Sequence, residues 1–157
     1  MDEKTALLRH TLATLAYRGG KALRGAPAEF AKFSVGAPPR TAGEILAHMG
    51  DLLDWSLSIM DAKESWHNSP VLTWEQGSAR FFAGLEAFDR RLASGGPIEC
   101  PVERLFQGPI ADALTHVGQI AMLRRLAGCP TSGENYFVAD IAAGRVGAEQ
   151  AAPAQVF

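Results

Sequence analysis

The residues best suited to chemistry lie on the most apolar helical stretch of the chain. From Ile110 to Leu126, Ile110, Ala113, Leu114, Val117, Ile120, Ala121, Leu123 and Leu126 cover most of the circumference. One polar stripe interrupts them: Asp112, His116 and Gln119. At about 100° per residue, Asp112 and His116 project roughly 40° apart, one helical turn from each other. A carboxylate and an imidazole at that spacing converge on one cation. An earlier segment supplies a partner, because His48 sits at the edge of an apolar face beside Leu52, with Asp51 and Trp55 further round the same side. Bundles build metal sites from side chains on facing helices. His48, Asp112 and His116 then form a two-histidine, one-carboxylate set with open positions, suited to divalent Zn, Ni, Fe or Mn.

Each of these residues also has a plainer role. A single histidine on an apolar helix is commonly a hydrogen-bonded core residue. Asp112 falls near the expected start of its helix, where the dipole favours any carboxylate. Asp51 reads as solvated, or as an acceptor behind His48. His10 and His67 read as incidental, and Trp55, Trp66 and Trp74 as core or rim packing. Other reaction templates are absent: there is no glycine-rich phosphate loop, Gly-x-Ser-x-Gly elbow, His-Glu-x-x-His or paired-cysteine zinc motif.

Four long segments carry a helical period, and none sustains a period of two. The first runs from about Lys4 to Leu23, with Leu8, Leu12 and Leu15 on one stripe and Gly25-Ala26-Pro27 ending it. A linker containing Pro38-Pro39 follows, its Phe30 and Phe33 tucked onto the core. Thr41 and Glu44 predict a capping box, each side chain satisfying an orphan backbone N–H. Ile45, Met49, Leu52, Leu53, Ser56 and Met60 make the buried face behind it. Thr73 and Gln76 open the third helix, which continues through Phe81, Leu85, Phe88 and Leu92 to Gly95-Gly96-Pro97. The fourth is expected to begin near Pro109, favoured at the first helical position, and to end at Gly128, with Arg124 and Arg125 at the negative end of its dipole. It is expected to be the most buried helix. A short helix is expected from Glu134 to Ala143, then an irregular tail from 147 to 157. The expected fold is therefore all-α: one four-helix bundle domain over 1–146, with an extra short C-terminal helix. The long connections leave room for crossovers.

The chain has 157 residues, 47% of them hydrophobic, enough for a single core. Its 15 Lys+Arg against 17 Asp+Glu leave a net charge of −2, without the basic footprint of a nucleic-acid binder. No apolar run reaches the ~18 residues of a membrane span. The polar Met1-Asp2-Glu3-Lys4 start does not read as a signal peptide, so the expected location is cytoplasmic. Cys100 and Cys129 allow one optional disulfide and no framework.

Two stretches resemble a known family. Thr41-Ala42-Gly43-Glu44-Ile45-Leu46-Ala47-His48 is similar to the second-helix signature of the DinB-like (YfiT-like) metalloenzymes, which are unrelated to the DNA polymerase sharing that name. Ala113-Leu114-Thr115-His116-Val117-Gly118-Gln119-Ile120 resembles their fourth-helix motif, His-x-x-x-His-Arg-Gly-Gln. The resemblance extends to helix order and length over most of the chain. It implies a four-helix bundle of that type, a homodimer, and a three-histidine site for a divalent metal. His48 matches the histidine of the second helix, and His116 the second of the fourth-helix pair. Asp112 stands where the first of that pair is expected, and Val117 replaces the arginine. The acid adds a negative charge, lowering the Lewis acidity of a bound metal.

Relatives of known activity include transferases and isomerases that use a low-molecular-weight thiol. The expected function is a metal-dependent S-transferase or hydrolase acting on a small molecule. Gln119 and Asp51 would stand behind the ligands or orient substrate, and Trp55, Arg125, Asn135 and Tyr136 would form the pocket rim. The competing expectation is a non-catalytic dimeric bundle, stress-associated or binding a small molecule, that keeps a degenerate site.

Overall fold

The computed structural model describes residues 1–157. Helix α1 spans Glu3–Leu23, α2 Ala42–Met60 and α3 Trp74–Ala93. A fourth rod is built from α4 (Val102–Leu105), a π-helical segment (Phe106–Ile110) and α5 (Ala111–Leu126). The only sheet is a two-stranded antiparallel ribbon, β1 (Ser34–Val35) with β2 (Arg40–Thr41). No helix is long and apolar enough to cross a membrane.

Helix starts follow the capping chemistry. Asp2 caps α1 by accepting from the Thr5 N–H, and Thr41/Glu44 and Thr73/Gln76 form complete capping boxes. Each side-chain cap contributes about 1 kcal/mol. Phe30 is buried in a short 3₁₀ turn, edge-on to Trp74 and stacked with Phe33.

Cross-helix contacts set the topology. Arg9 meets Asp89 near one end of the bundle, whereas the Trp74 indole N–H donates to Leu23 O at the other, so α1 and α3 are antiparallel. A Cβ on Gly19 would come 2.8 Å from the Phe81 ring, so these helices approach more closely there than alanine permits. Leu46 lies against Gly77, Leu53 against Gly84 and Asp61 against Arg91, so α2 and α3 run parallel. Lys4 pairs with Glu103, and Arg124 donates to Ala22 O and Arg24 O, so α1 and α5 are also parallel. His48 faces Asp112 and Trp55 lies by Gly108, which makes α2 antiparallel to α5. The order is up-down-down-up, with one long crossover, residues 61–73, joining the parallel α2 and α3.

The core is a single cluster in which Leu12, Leu15, Met49, Leu53, Phe81, Phe88 and Ile110 are fully buried. Each contributes roughly 1.5–3 kcal/mol relative to exposure.

Three expectations are corrected. The fourth rod begins at Val102, not Pro109, and Pro109 lies inside the π segment. Proline has no N–H to give the carbonyl four residues back, and its ring crowds that carbonyl. The wider π turn relieves this, and Ala111 N–H reaches back to Phe106 O. The rod is not the most buried helix either, because Met122 and Leu126 are about half exposed. Finally, no helix forms over Glu134–Ala143. Glu134 pairs as an isolated β-bridge with Val156, and only Tyr136–Val138 makes a 3₁₀ turn, capped by Asn135. Tertiary pairing of the tail overrides local helix preference there.

Candidate metal centre

The antiparallel packing of α2 on α5 brings the three candidate ligands together. His48 Nε2 lies 3.3 Å from Asp112 Oδ2, and His116 Nε2 lies 3.3 Å from Asp112 Oδ1. The two imidazoles stand edge to face, their centroids 4.8 Å apart. One ligand atom from each of the three residues falls within 4.8 Å of the other two. Metal–ligand bonds of about 2.1 Å in a tetrahedral arrangement place donors about 3.4 Å apart, and the two 3.3 Å separations match that spacing, so the three residues could hold a metal ion.

The second nitrogen of His116 decides how the first is used. His116 Nδ1 lies 2.7 Å from Gln119 Oε1 and, in the Nδ1–H tautomer, donates to that amide oxygen. That tautomer leaves a lone pair on Nε2, which lies 3.3 Å from Asp112 Oδ1. The two acceptors then stand within reach of one shared cation. His116 is buried, and that burial pushes its pKa below the ordinary value, outweighing the Gln119 hydrogen bond and the Asp112 charge, which act upward. A proton is thereby disfavoured on Nε2. Because the chain enters α5 already helical from the π segment, Asp112 does not sit at a free helix start, and the dipole alone does not account for it.

The crossover forms one wall. Trp66 packs edge-on against His48 and Trp55. Asp51 was expected behind His48 but is turned away from it. It is buried, accepts from the Ser69 N–H at 3.0 Å and from Arg80 at 2.7 Å, and lies 3.3 Å from His67 Nε2. Burial alone would raise its carboxyl pKa, but Ser69 and Arg80 outweigh burial and hold it low. Asp51 therefore fastens the strap that carries Trp66. Asp51, Asp54 and His67 form a second cluster of metal-ligand types. There the Arg80 guanidinium, 2.7 Å from Asp51 and 2.6 Å from Asp54, already supplies the cation.

Of the expected rim residues, Trp55 lines an open trough of about 440 Å³ that includes Asp112, Leu52, Gly108 and Thr115. The others lie elsewhere. Arg125 is nine residues beyond His116, about 14 Å along the helix, and lines a separate depression with Gly118, Met122 and Pro130. The Asn135 amide bonds Gln155, and Tyr136 packs on Tyr17 under Arg18, against α1. Sequence reading missed two neighbours. Arg40, on β2, is close enough for its charge to lower the His116 pKa further. Trp66 reaches His48 only through the tertiary path of the crossover, which no local period encodes.

No protein-family model, curated protein or solved structure matches the chain.

Proposed function

We propose that this chain is a divalent-metal-dependent enzyme of the DinB-like type, acting as a thiol-dependent S-transferase or a hydrolase on a small molecule. One observation carries the reading: the Asp112 carboxylate lies 3.3 Å from Nε2 of both His48 and His116, and Gln119 holds His116 there through Nδ1. His48, Asp112 and His116 would hold the ion, and Gln119 would fix the His116 tautomer. A divalent cation there lowers the pKa of a thiol or water that joins it, supplying a nucleophile near neutral pH. Trp55 and Trp66 shield one side from bulk water, and Arg40 offers a positive charge to an anionic substrate. Functioning as a homodimer belongs to the same proposal, and the exposed Met122 and Leu126 on α5 offer an apolar face for it.

The test is elemental analysis of protein purified without added metal, followed by thiol consumption with an electrophile. About one transition metal per chain, lost in His116→Ala together with thiol turnover, is expected. A metal-free wild type that binds no added zinc ends the proposal.

A second reading rests on the reach of Asp112 to both imidazoles. With the Gln119 amide reversed, its NH₂ donates to His116 Nδ1, and the His48 Nε2–H donates to Asp112 with His116 Nε2 close by. That cluster is complete without a cation, as in a non-catalytic bundle.

A further inference from the structure

The trough at Asp112 continues past the metal centre. A neighbouring pocket of about 490 Å³ shares Trp55, Gln107 and Gly108 with it. The π segment supplies the shared floor, since its widened turn brings Gly108 beside the Trp55 ring. Such volumes match small-molecule sites.

The far pocket has an apolar wall, including Trp55, Ile59 and Leu105, and charges of both signs at its edge. Arg104 is its one cation, and Glu64 and Glu99 are its anions. Although all three line one pocket, Arg104 bonds neither carboxylate. The Glu99 backbone N–H donates to Met60 O, and the Glu64 carboxylate accepts from the Trp55 indole at 3.2 Å. The positive field of Arg104 extends into the pocket, where it opposes the upward push of burial on the Cys100 thiol. An anion alone would meet two carboxylates here, and a cation alone would meet Arg104. A molecule carrying both signs satisfies both.

We propose that this pocket binds a zwitterion of the α-amino-acid or short-peptide class. Its ammonium would lie at Glu99 and Glu64, its carboxylate at Arg104, and its apolar side chain along Trp55 towards Asp112. Only the direction of that side chain rests on the metal-enzyme reading.

Three probes with one hydrocarbon body separate the charges: L-phenylalanine, phenethylamine (no carboxylate) and hydrocinnamate (no ammonium). Binding is followed by NMR shifts of the Trp55 indole N–H and the Gly108 amide, in chelator and again with zinc. Phenylalanine should bind about tenfold tighter than either single-charge probe, the worth of one charge-assisted hydrogen bond. Arg104→Met should remove that advantage over phenethylamine, and Glu99→Gln the advantage over hydrocinnamate. Both positions are exposed, so folding is preserved. The proposal is overturned if phenethylamine or hydrocinnamate binds as well as phenylalanine, if Arg104→Met changes nothing, or if no saturable shift occurs. Phenylalanine binding without zinc binding would sink the metal-enzyme reading alone, whereas zinc binding without phenylalanine binding would sink this one alone.

Discussion

Gln119 Oε1 stands 2.7 Å from His116 Nδ1, so an exposed amide one turn along α5 holds a buried imidazole with its Nε2 on the side of Asp112. Replacing it with leucine removes that control. Gln119→Leu should weaken zinc binding about tenfold to a hundredfold, measured by competition with a chromophoric chelator. Thermal stability should change little, because residue 119 is exposed. Unchanged affinity in this variant would mean that the tautomer is set by something else.

Metal affinity should fall with acid. Burial holds the His116 pKa below its ordinary 6.5, so Nε2 stays neutral to lower pH than a free histidine and loses metal only below that value. The same shift makes the metal-free fold pH-dependent. The unfolded chain takes up the proton first, so the His116 contribution is intact above 6.5 and is lost as pH falls through the lower folded value. Zinc titrations from about pH 8 to pH 4 check the first effect and denaturant unfolding of metal-free protein the second, and affinity that stays flat over the whole range would exclude histidine ligation.

Asp51 should matter to the strap more than to the ion. Asp51→Asn removes the buried one of Arg80's two carboxylate partners, leaving Asp54, and should cost about 1–2 kcal/mol in denaturant unfolding. Residues 62–72 should become more susceptible to protease, and tryptophan fluorescence should shift to the red as Trp66 leaves His48. Zinc stoichiometry should stay the same. Loss of zinc with an intact strap would place Asp51 in the ligand set after all.

The tail has its own titration. Glu134 is buried and accepts from the Tyr17 hydroxyl and, at 2.6 Å, from Lys21. Burial alone would raise its pKa, but Lys21 and Tyr17 hold it below the usual carboxylate range. Its stabilisation is present above the unfolded carboxyl value and is lost as pH falls through the lower folded one. Tyr17 behaves oppositely: burial, then Glu134, push its phenol from 10.0 up to about 12. That contribution is complete below pH 10 and declines as pH rises towards the folded value. An ultraviolet titration should show a late phenol ionisation, absent in Tyr17→Phe and moved earlier in Glu134→Gln. Completion of tyrosine ionisation near pH 10 in the wild type would contradict the pairing.

The parts of this fold legible in the sequence are those governed by neighbours three or four residues apart. Thr41 with Glu44, Thr73 with Gln76, and the Leu8–Leu12–Leu15 stripe each state their structure locally. The Asp112–His116 spacing did so for the centre, and His48 followed from the apolar face beside it. What escaped depends on distant partners. Pro109 looks like a helix start because nothing local announces that the preceding turn widens to accommodate it. The apolar run Tyr136–Val138 looks helical until Val156 pairs with Glu134. The direction in which Asp51 turns is decided by Arg80, which lies on another helix.

Two same-direction rods, α2 and α3, oblige the chain to travel the bundle's length between them, and the returning segment lays Trp66 over His48 of the candidate centre. The roof and the floor are thus written in different kinds of sequence. His48, Asp112 and His116 sit on helices whose neighbouring residues build the interior, whereas residues 62–68 are exposed and largely free of that duty. Under the proposed function, such a division would let new guests be admitted by rewriting the canopy while the three residues beneath it stay unchanged.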